Sequence, residues 1–150
     1  MKDPSIQISD FLNSIKFKCQ VKDKYIADKV GLSCSELNCI KQFLSSDNLS
    51  VKYIAEKLNI TSGGVTRILG NLEDEGILKR KIDIRDRRGI VVSLTPKGKE
   101  LIVLLALTSK NYYNELFSGM DEEDKYTVMK GLELLDNSWE KLLIRIMEDQ

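Results

Sequence analysis

The chain is constrained most by an ordered series of helix signals whose period breaks once and then returns. Ser33-Cys34-Ser35-Glu36 reads as a capping box, with Ser33 as N-cap and Glu36 at N3. The helix it opens has Leu37, Ile40, Phe43 and Leu44 on one face. Ser50 is a candidate N-cap for a short helix with apolar Val51, Ile54, Ala55 and Leu58. A tight break at Asn59-Ile60 follows. Thr61 then caps a helix with Val65, Ile68, Leu69 and Leu72 at core spacing and Gly76 as its stop. Past Gly76 the period becomes that of strands. Ile77–Ile82 and Ile90–Leu94 are rich in apolar and β-branched residues, and a charged loop, Asp83 to Gly89, lies between them. Thr95-Pro96 restarts a helix, with proline at N1, where a missing N–H costs nothing.

Two short helices joined by a few residues form a helix-turn-helix, and a hairpin directly after it forms a wing. The predicted fold is therefore mainly α with a small β-hairpin wing (α+β), a winged helix-turn-helix flanked by further helices. The first flank, Ser5 to Lys29, has apolar residues at Ile8, Phe11, Leu12, Ile15 and Cys19, with Gly31 as a C′ stop. The helix from Thr95 runs through Leu101, Ile102, Leu104, Leu105 and Leu116 to Ser118-Gly119. Asp121 caps the last helix, and Glu122, Glu123 and Asp124 in its first turn favour the helix dipole.

The last helix has apolar residues at Val128, Leu132, Leu135, Trp139, Leu142 and Ile146, at spacings of 4, 3, 4, 3 and 4. That is a heptad seam, widened by Met129, Leu143 and Met147. A stripe this wide also fits a helix packed on its own domain. Residues 33–94, however, are expected to supply the winged-helix core alone, so the flanking helices need another surface. The expectation is a homodimer organised as 1–32 (N-terminal dimerisation helix), 33–98 (winged helix-turn-helix) and 99–150 (C-terminal dimerisation helices).

Composition narrows the chemistry. A length of 150 residues fits one structural unit, since single cores run to about 100–200 residues. Histidine is absent, which removes Ser-His-Asp and Cys-His arrangements, His general bases and His metal ligands. No Gly-rich phosphate loop is present; Gly63-Gly64 is only a pair. Nothing marks a carboxylate-only active site, and no enzyme activity, cofactor or metal is expected. Cys19, Cys34 and Cys39 make an odd count without zinc-finger spacing. No apolar run reaches the 18 or so residues of a membrane span. The first residues lack the apolar stretch of an export signal, so the expected setting is the cytoplasm.

Lys plus Arg and Asp plus Glu both number 23, a formal net charge of zero. The zero hides a partition. Residues 1–45 have 7 basic and 5 acidic side chains, residues 46–99 have 11 and 7, and residues 100–150 have 5 and 11. The basic excess thus falls on the helix-turn-helix and wing, where a polyanion would lie.

These residues resemble the MarR family of bacterial and archaeal transcriptional regulators. The resemblance rests on the helix-turn-helix, on the wing Asp83-Ile84-Arg85-Asp86-Arg87-Arg88 and on the exit Leu94-Thr95-Pro96-Lys97-Gly98. Val65-Thr66-Arg67, Leu72-Glu73-Asp74-Glu75-Gly76 and Asp121-Glu122-Glu123 also match, over roughly residues 6–147. One departure is Ile84, where many members have proline. The resemblance implies a two-fold dimer with interlocked terminal helices, dimerising through Ile8, Phe11, Leu12, Ile15, Val128, Leu132, Leu135, Trp139, Leu142 and Ile146. It also implies recognition helices in successive major grooves of double-stranded DNA, wings at the minor groove, and repression relieved by a small aromatic or anionic effector. Candidate effector contacts are Phe11, Ile15, Phe17, Tyr25, Tyr112, Tyr113 and Trp139, which read first as core or interface, as aromatic residues at helical spacing usually are. Some members sense oxidants through cysteine. Cys34, in a first helical turn, is the candidate here, while Cys19 and Cys39 read as small hydrophobes. A winged helix used for protein contact is the remaining alternative, and its mark would be an uncharged wing.

Within this reading, Thr61, Ser62, Gly63 and Gly64 offer orphan amides to phosphate and small side chains for close approach. Ser50 is either a cap alone or also a phosphate contact. Thr66 and Arg67 lie one turn in. Arg67 can read guanine, hold a phosphate, or pair with an acid of its own domain. In the wing, Arg85, Arg87 and Arg88 suit a narrow, electronegative minor groove. Asp83 and Asp86 can pair with them, and Gly89 closes the loop. Of Lys79, Arg80 and Lys81, which alternate faces, some must point away from DNA. Arg87→Ala or Arg88→Ala is expected to weaken operator binding and to lower the salt slope by about one per lost phosphate contact. Titrations at several salt concentrations check this, and unchanged affinity and slope in the double variant overturn the wing assignment.

Overall fold

The structure, a computed structural model, describes residues 3–82 and 90–149. The wing tip, including Asp83, Arg85, Asp86, Arg87, Arg88 and Gly89, lies outside the described residues. The chain divides into two compact units, Met1–Ser109 and Lys110–Gln150. The elements run α1 (Pro4–Val30), α2 (Cys34–Lys41), β1 (Asn48–Ser50), α3 (Val51–Leu58), α4 (Ser62–Asp74), β2 (Leu78–Ile82), β3 (Ile90–Leu94), α5 (Pro96–Leu116) and α6 (Glu122–Glu148). The fold is mostly helical with a small three-stranded antiparallel sheet in the order β1-β3-β2.

The caps act where the side chains demand them. Gly31 takes the left-handed conformation (φ 73°) that ends α1, and Asn59 does the same (φ 51°) after α3. Ser33 Oγ accepts from the Glu36 amide at 3.3 Å, and Glu36 Oε2 accepts from the Ser33 amide at 2.9 Å, so the capping box closes. Ser50, Thr61 and Asp121 accept from the amides of Tyr53, Gly64 and Asp124 at 3.1, 3.3 and 2.8 Å. Sequence reasoning missed β1. It is three residues long, ends on the Ser50 cap itself, and pairs Asn48 with Ser93 and Ser50 with Val91, a long-range pairing with no local periodicity.

The core of the first unit comprises Leu37, Ile40, Phe43, Ile54, Val65, Leu69, Leu72, Ile77, Leu78, Val92 and Leu94. It also takes Ile26, Ala27 and Leu32 from the α1 side and Leu105 from α5. The expectation that residues 33–94 fill this core alone is thereby corrected. A three-helix layer on a small sheet leaves open flanks, and the last turns of α1 and the first half of α5 cover them. Leu44 is a second correction. After α2 the chain tightens into a 3-10 turn, Gln42–Leu44, whose shorter repeat buries Phe43 and turns Leu44 to solvent. Cys19 is a third, being exposed on α1 rather than packed.

Two buried or half-buried carboxylates tie these elements together. Glu36 is only 8% exposed and accepts from the Ser33 amide and hydroxyl and from Asn71 Nδ2, at 3.1 Å, on α4. Burial pushes its carboxyl up, but these donors outweigh that and hold it below the usual carboxylate range. Its contribution to stability is therefore present at neutral pH and lost on acidification. Asp23 of α1 lies 2.7 Å from Lys41 Nζ of α2 and 3.2 Å from Lys22 Nζ. Burial raises this carboxyl, and the two ammoniums overcome the effect and lower it.

The junction of α4, β2 and α5 is tighter still. Thr95 Oγ1 donates toward the carbonyls of Gly76 (2.6 Å) and Ile77 (3.1 Å) and accepts from the Gly98 amide (3.1 Å). The Thr95 amide donates to the Ile77 carbonyl at 3.0 Å. Gly98 is buried, and a Cβ there would fall onto the Ile77 carbonyl oxygen. The Leu-Thr-Pro-Lys-Gly exit is thus a packing motif in which only glycine lets α5 approach the start of the wing. Gly98→Ala should destabilise the fold by roughly 1–3 kcal/mol through overpacking. Urea unfolding checks this, as a fall in midpoint at unchanged slope.

Candidate DNA-binding surface

Helix α4 buries Val65, Leu69 and Leu72 completely. At about 100° per residue this places Gly63 and Arg67 on the opposite side, and both are exposed. Thr61, Ser62 and Thr66 are exposed as well. Ser62 and Gly63 stand at the first two helical positions, where amides have no intrahelical acceptor. The Thr66 hydroxyl donates back to the Ser62 carbonyl at 2.8 Å, which leaves its methyl and its hydroxyl lone pairs for an outside partner. Among the described residues Arg67 makes no ion pair, so the reading in which it pairs with an acid of its own domain gains nothing from the geometry. It borders an open groove of about 1020 Å³ beside Glu36, Glu56, Asn59, Thr61 and Asn71.

The glycine pair meets no steric demand from within the chain. A Cβ at Gly63 would meet nothing within 4 Å, and one at Gly64 would make ordinary contact with Thr61 and Ile60. Gly70, which the sequence reading did not single out, likewise has open space where a Cβ would be. Helical glycines cost roughly 1 kcal/mol each relative to alanine.

On the flank facing β2, Arg80 Nε lies 2.9 Å from Glu73 Oε2, and Arg80 Nη2 donates to the Thr66 carbonyl at 3.2 Å. The Nε–H is not aimed along the ion-pair line, so that contact is Coulombic rather than a hydrogen bond. The Arg80 amide donates to Glu73 Oε1 at 2.9 Å. Lys79 and Lys81, of opposite pleat, are exposed. Neither Glu73 nor Asn71 was legible as a site-building residue, because their partners Arg80 and Glu36 stand in other elements. Ser50 is exposed and its hydroxyl caps α3. Cys34 is a free, exposed thiol at the first position of α2, whereas Cys39 is buried. Burial and the Glu36 charge push the Cys39 thiol up to about 12, so it is inert at neutral pH.

A capped helix projecting small and basic side chains beside a two-stranded wing defines a winged helix-turn-helix DNA-binding protein. The comparisons make the class specific. Residues 40–89 match the model of the MarR family. The HTH-type transcriptional regulator YdgJ of Bacillus subtilis is 27% identical over 128 residues, covering 83% of this chain and 78% of that protein. The HTH-type transcriptional regulator PapX of Escherichia coli is 37% identical over 83 residues, covering 54% of this chain and 51% of its own length. The crystal structure of Streptococcus pneumoniae FabT in complex with DNA aligns with a TM-score of 0.73 at 26% identity, covering 92% of this chain and 99% of that one. Residues 40–89 thus match the MarR family, and the relatives this chain resembles are transcriptional regulators.

Gly63→Ala separates packing from function at the helix start. It should stabilise the fold by up to about 1 kcal/mol while weakening DNA binding. Chemical denaturation and duplex titration on one sample check the two opposite signs.

Proposed function

We propose that this regulator binds a pseudo-palindromic operator as a homodimer and represses by occupying it, with α4 in the major groove and the wing at the minor groove. The observation that most supports the DNA-binding part is the face of α4 opposite its buried stripe, formed by Gly63 and Arg67 and flanked by Ser62 and Thr66. The site residues in this reading are Ser50, Thr61, Ser62, Gly63, Gly64, Thr66 and Arg67, together with Arg85, Arg87 and Arg88 of the wing.

The dimer is supported by apolar surface that each unit leaves uncovered. Helix α6 is 27 residues long and buries none of them. Leu132 is 55% and Trp139 49% exposed, with Val128, Leu142 and Ile146 along the same seam. Leu135, on that seam, is partly covered. On α1, Phe11 is 69% exposed, beside Ile8 and Ile15, with Leu12 partly covered. Isolated apolar residues on a surface are normal, but continuous stripes of this kind mark an association face. A second copy fits the seam because a heptad stripe is self-complementary about a two-fold axis. Half-sites about 34–36 Å apart would match such a dimer. Relief of repression by a small aromatic or anionic effector completes the reading.

Sedimentation of the wild-type chain should give a dimer, and Leu132→Glu with Trp139→Glu should shift it to monomer. The monomer's operator affinity should fall, and its salt slope should drop to about half as the phosphate contacts of one protomer are lost. A wild-type monomer that binds selected duplex with full affinity overturns the dimer. No retention on any randomised duplex pool at low salt overturns the DNA-binding reading.

A further inference from the structure

Arg80 stands beside the wing in a run of three basic residues, where a phosphate contact is the obvious assignment. Its geometry is different. Its guanidinium faces α4, reaching Glu73 Oε2 at 2.9 Å and the Thr66 carbonyl at 3.2 Å, two turns apart on the same helix. Both charged side chains are less than a third exposed. The other oxygen of Glu73 accepts the Arg80 amide. That amide belongs to β2, the edge strand of the sheet, and Glu73 satisfies it in place of a further strand. Arg80 and Glu73 therefore hold each other at two points, backbone and side chain.

We propose that Arg80 is a positioning residue for DNA recognition: with Glu73 it clamps the wing strand to the recognition helix, fixing the register between the two elements that read DNA. The inference rests on the DNA-binding reading above. The cation of Arg80 is spent on Glu73 and adds nothing to the phosphate contacts, which fall to exposed cations such as Arg67. What the clamp controls is how well α4 and the wing engage one duplex together. A loosened wing loses specific affinity, because specific binding needs both elements in place, and keeps non-specific affinity, because that depends on charge count.

The test uses the full-length chain, one duplex selected from a randomised pool and a scrambled duplex of equal length, titrated at several salt concentrations. Arg80→Ala, Arg80→Lys and Glu73→Gln should each lose about tenfold in affinity for the selected duplex, the order of one base contact. Affinity for the scrambled duplex and the salt slope should stay at wild-type values. Arg80→Lys is decisive because it keeps the charge but cannot span Thr66 and Glu73 together. The double variant Arg80→Ala/Glu73→Gln should be no worse than either single one, as expected for one shared interaction. Urea unfolding of each variant confirms a folded sample at the assay temperature.

Three results would overturn the clamp. One is a salt slope lower by about one in Arg80→Ala with wild-type behaviour in Arg80→Lys, which marks a phosphate contact. Another is higher affinity in Glu73→Gln, which marks a competing anion. The third is unchanged discrimination in all three single variants. Failure of wild-type protein to bind either duplex would instead sink the DNA-binding reading itself, so the two failures are distinct.

Discussion

The backbone of α5 lies directly on the carbonyl of Ile77, and the rest of the winged unit is arranged around that approach. The recognition helix has just ended there, the first wing strand is about to begin, and α5 starts from the end of the other strand. Thr95 joins all three by donating to Gly76 and Ile77 and accepting from Gly98. Lys97 adds a bond to the Glu75 carbonyl at 2.6 Å, at the C-terminal end of α4. Because Gly98 has no side chain, the contact is backbone on backbone, and it transmits position with little slack. A shift of α5 thus moves the wing root and the end of the recognition helix together.

Charge is used in two ways. Buried and half-buried ions act as ties: Glu36 joins α2 to α4, Asp23 joins α1 to α2, and Glu73 joins α4 to β2. Each is satisfied by named donors, which is what makes a partly buried carboxylate tolerable. Arg67, Lys79 and Lys81 remain exposed and are available to a polyanion. A net charge of zero is therefore no argument against binding DNA. Residues 100–150 hold 11 acids against 5 bases, and residues 46–99 hold 11 bases against 7 acids.

Much of the fold was readable from local chemistry. The caps at Ser33, Ser50, Thr61 and Asp121, the glycine stop at Gly31 and the strands on either side of the wing all depend on residues within a turn of one another. The faces of α4 followed from its period alone: Val65, Leu69 and Leu72 form the buried stripe, and Gly63 and Arg67 lie opposite it. The reading failed where partners lie far apart in sequence. The pairing of β1 with β3, the contributions of Ile26 and Leu105 to the core, and the exposure of Leu44 all depend on how elements meet.

The same division runs through the site. Helical period, capping residues and the charge partition specify a winged helix-turn-helix with its basic excess in residues 46–99, because each is set by near neighbours or by the sequence itself. Which basic residues are free to meet DNA and which are committed to the protein is a different matter. Arg80 sits between two lysines and looks like them in the sequence. It is drawn to Glu73 because α4 and β2 fold back on each other, and a charge pairs with whatever the packing brings within reach.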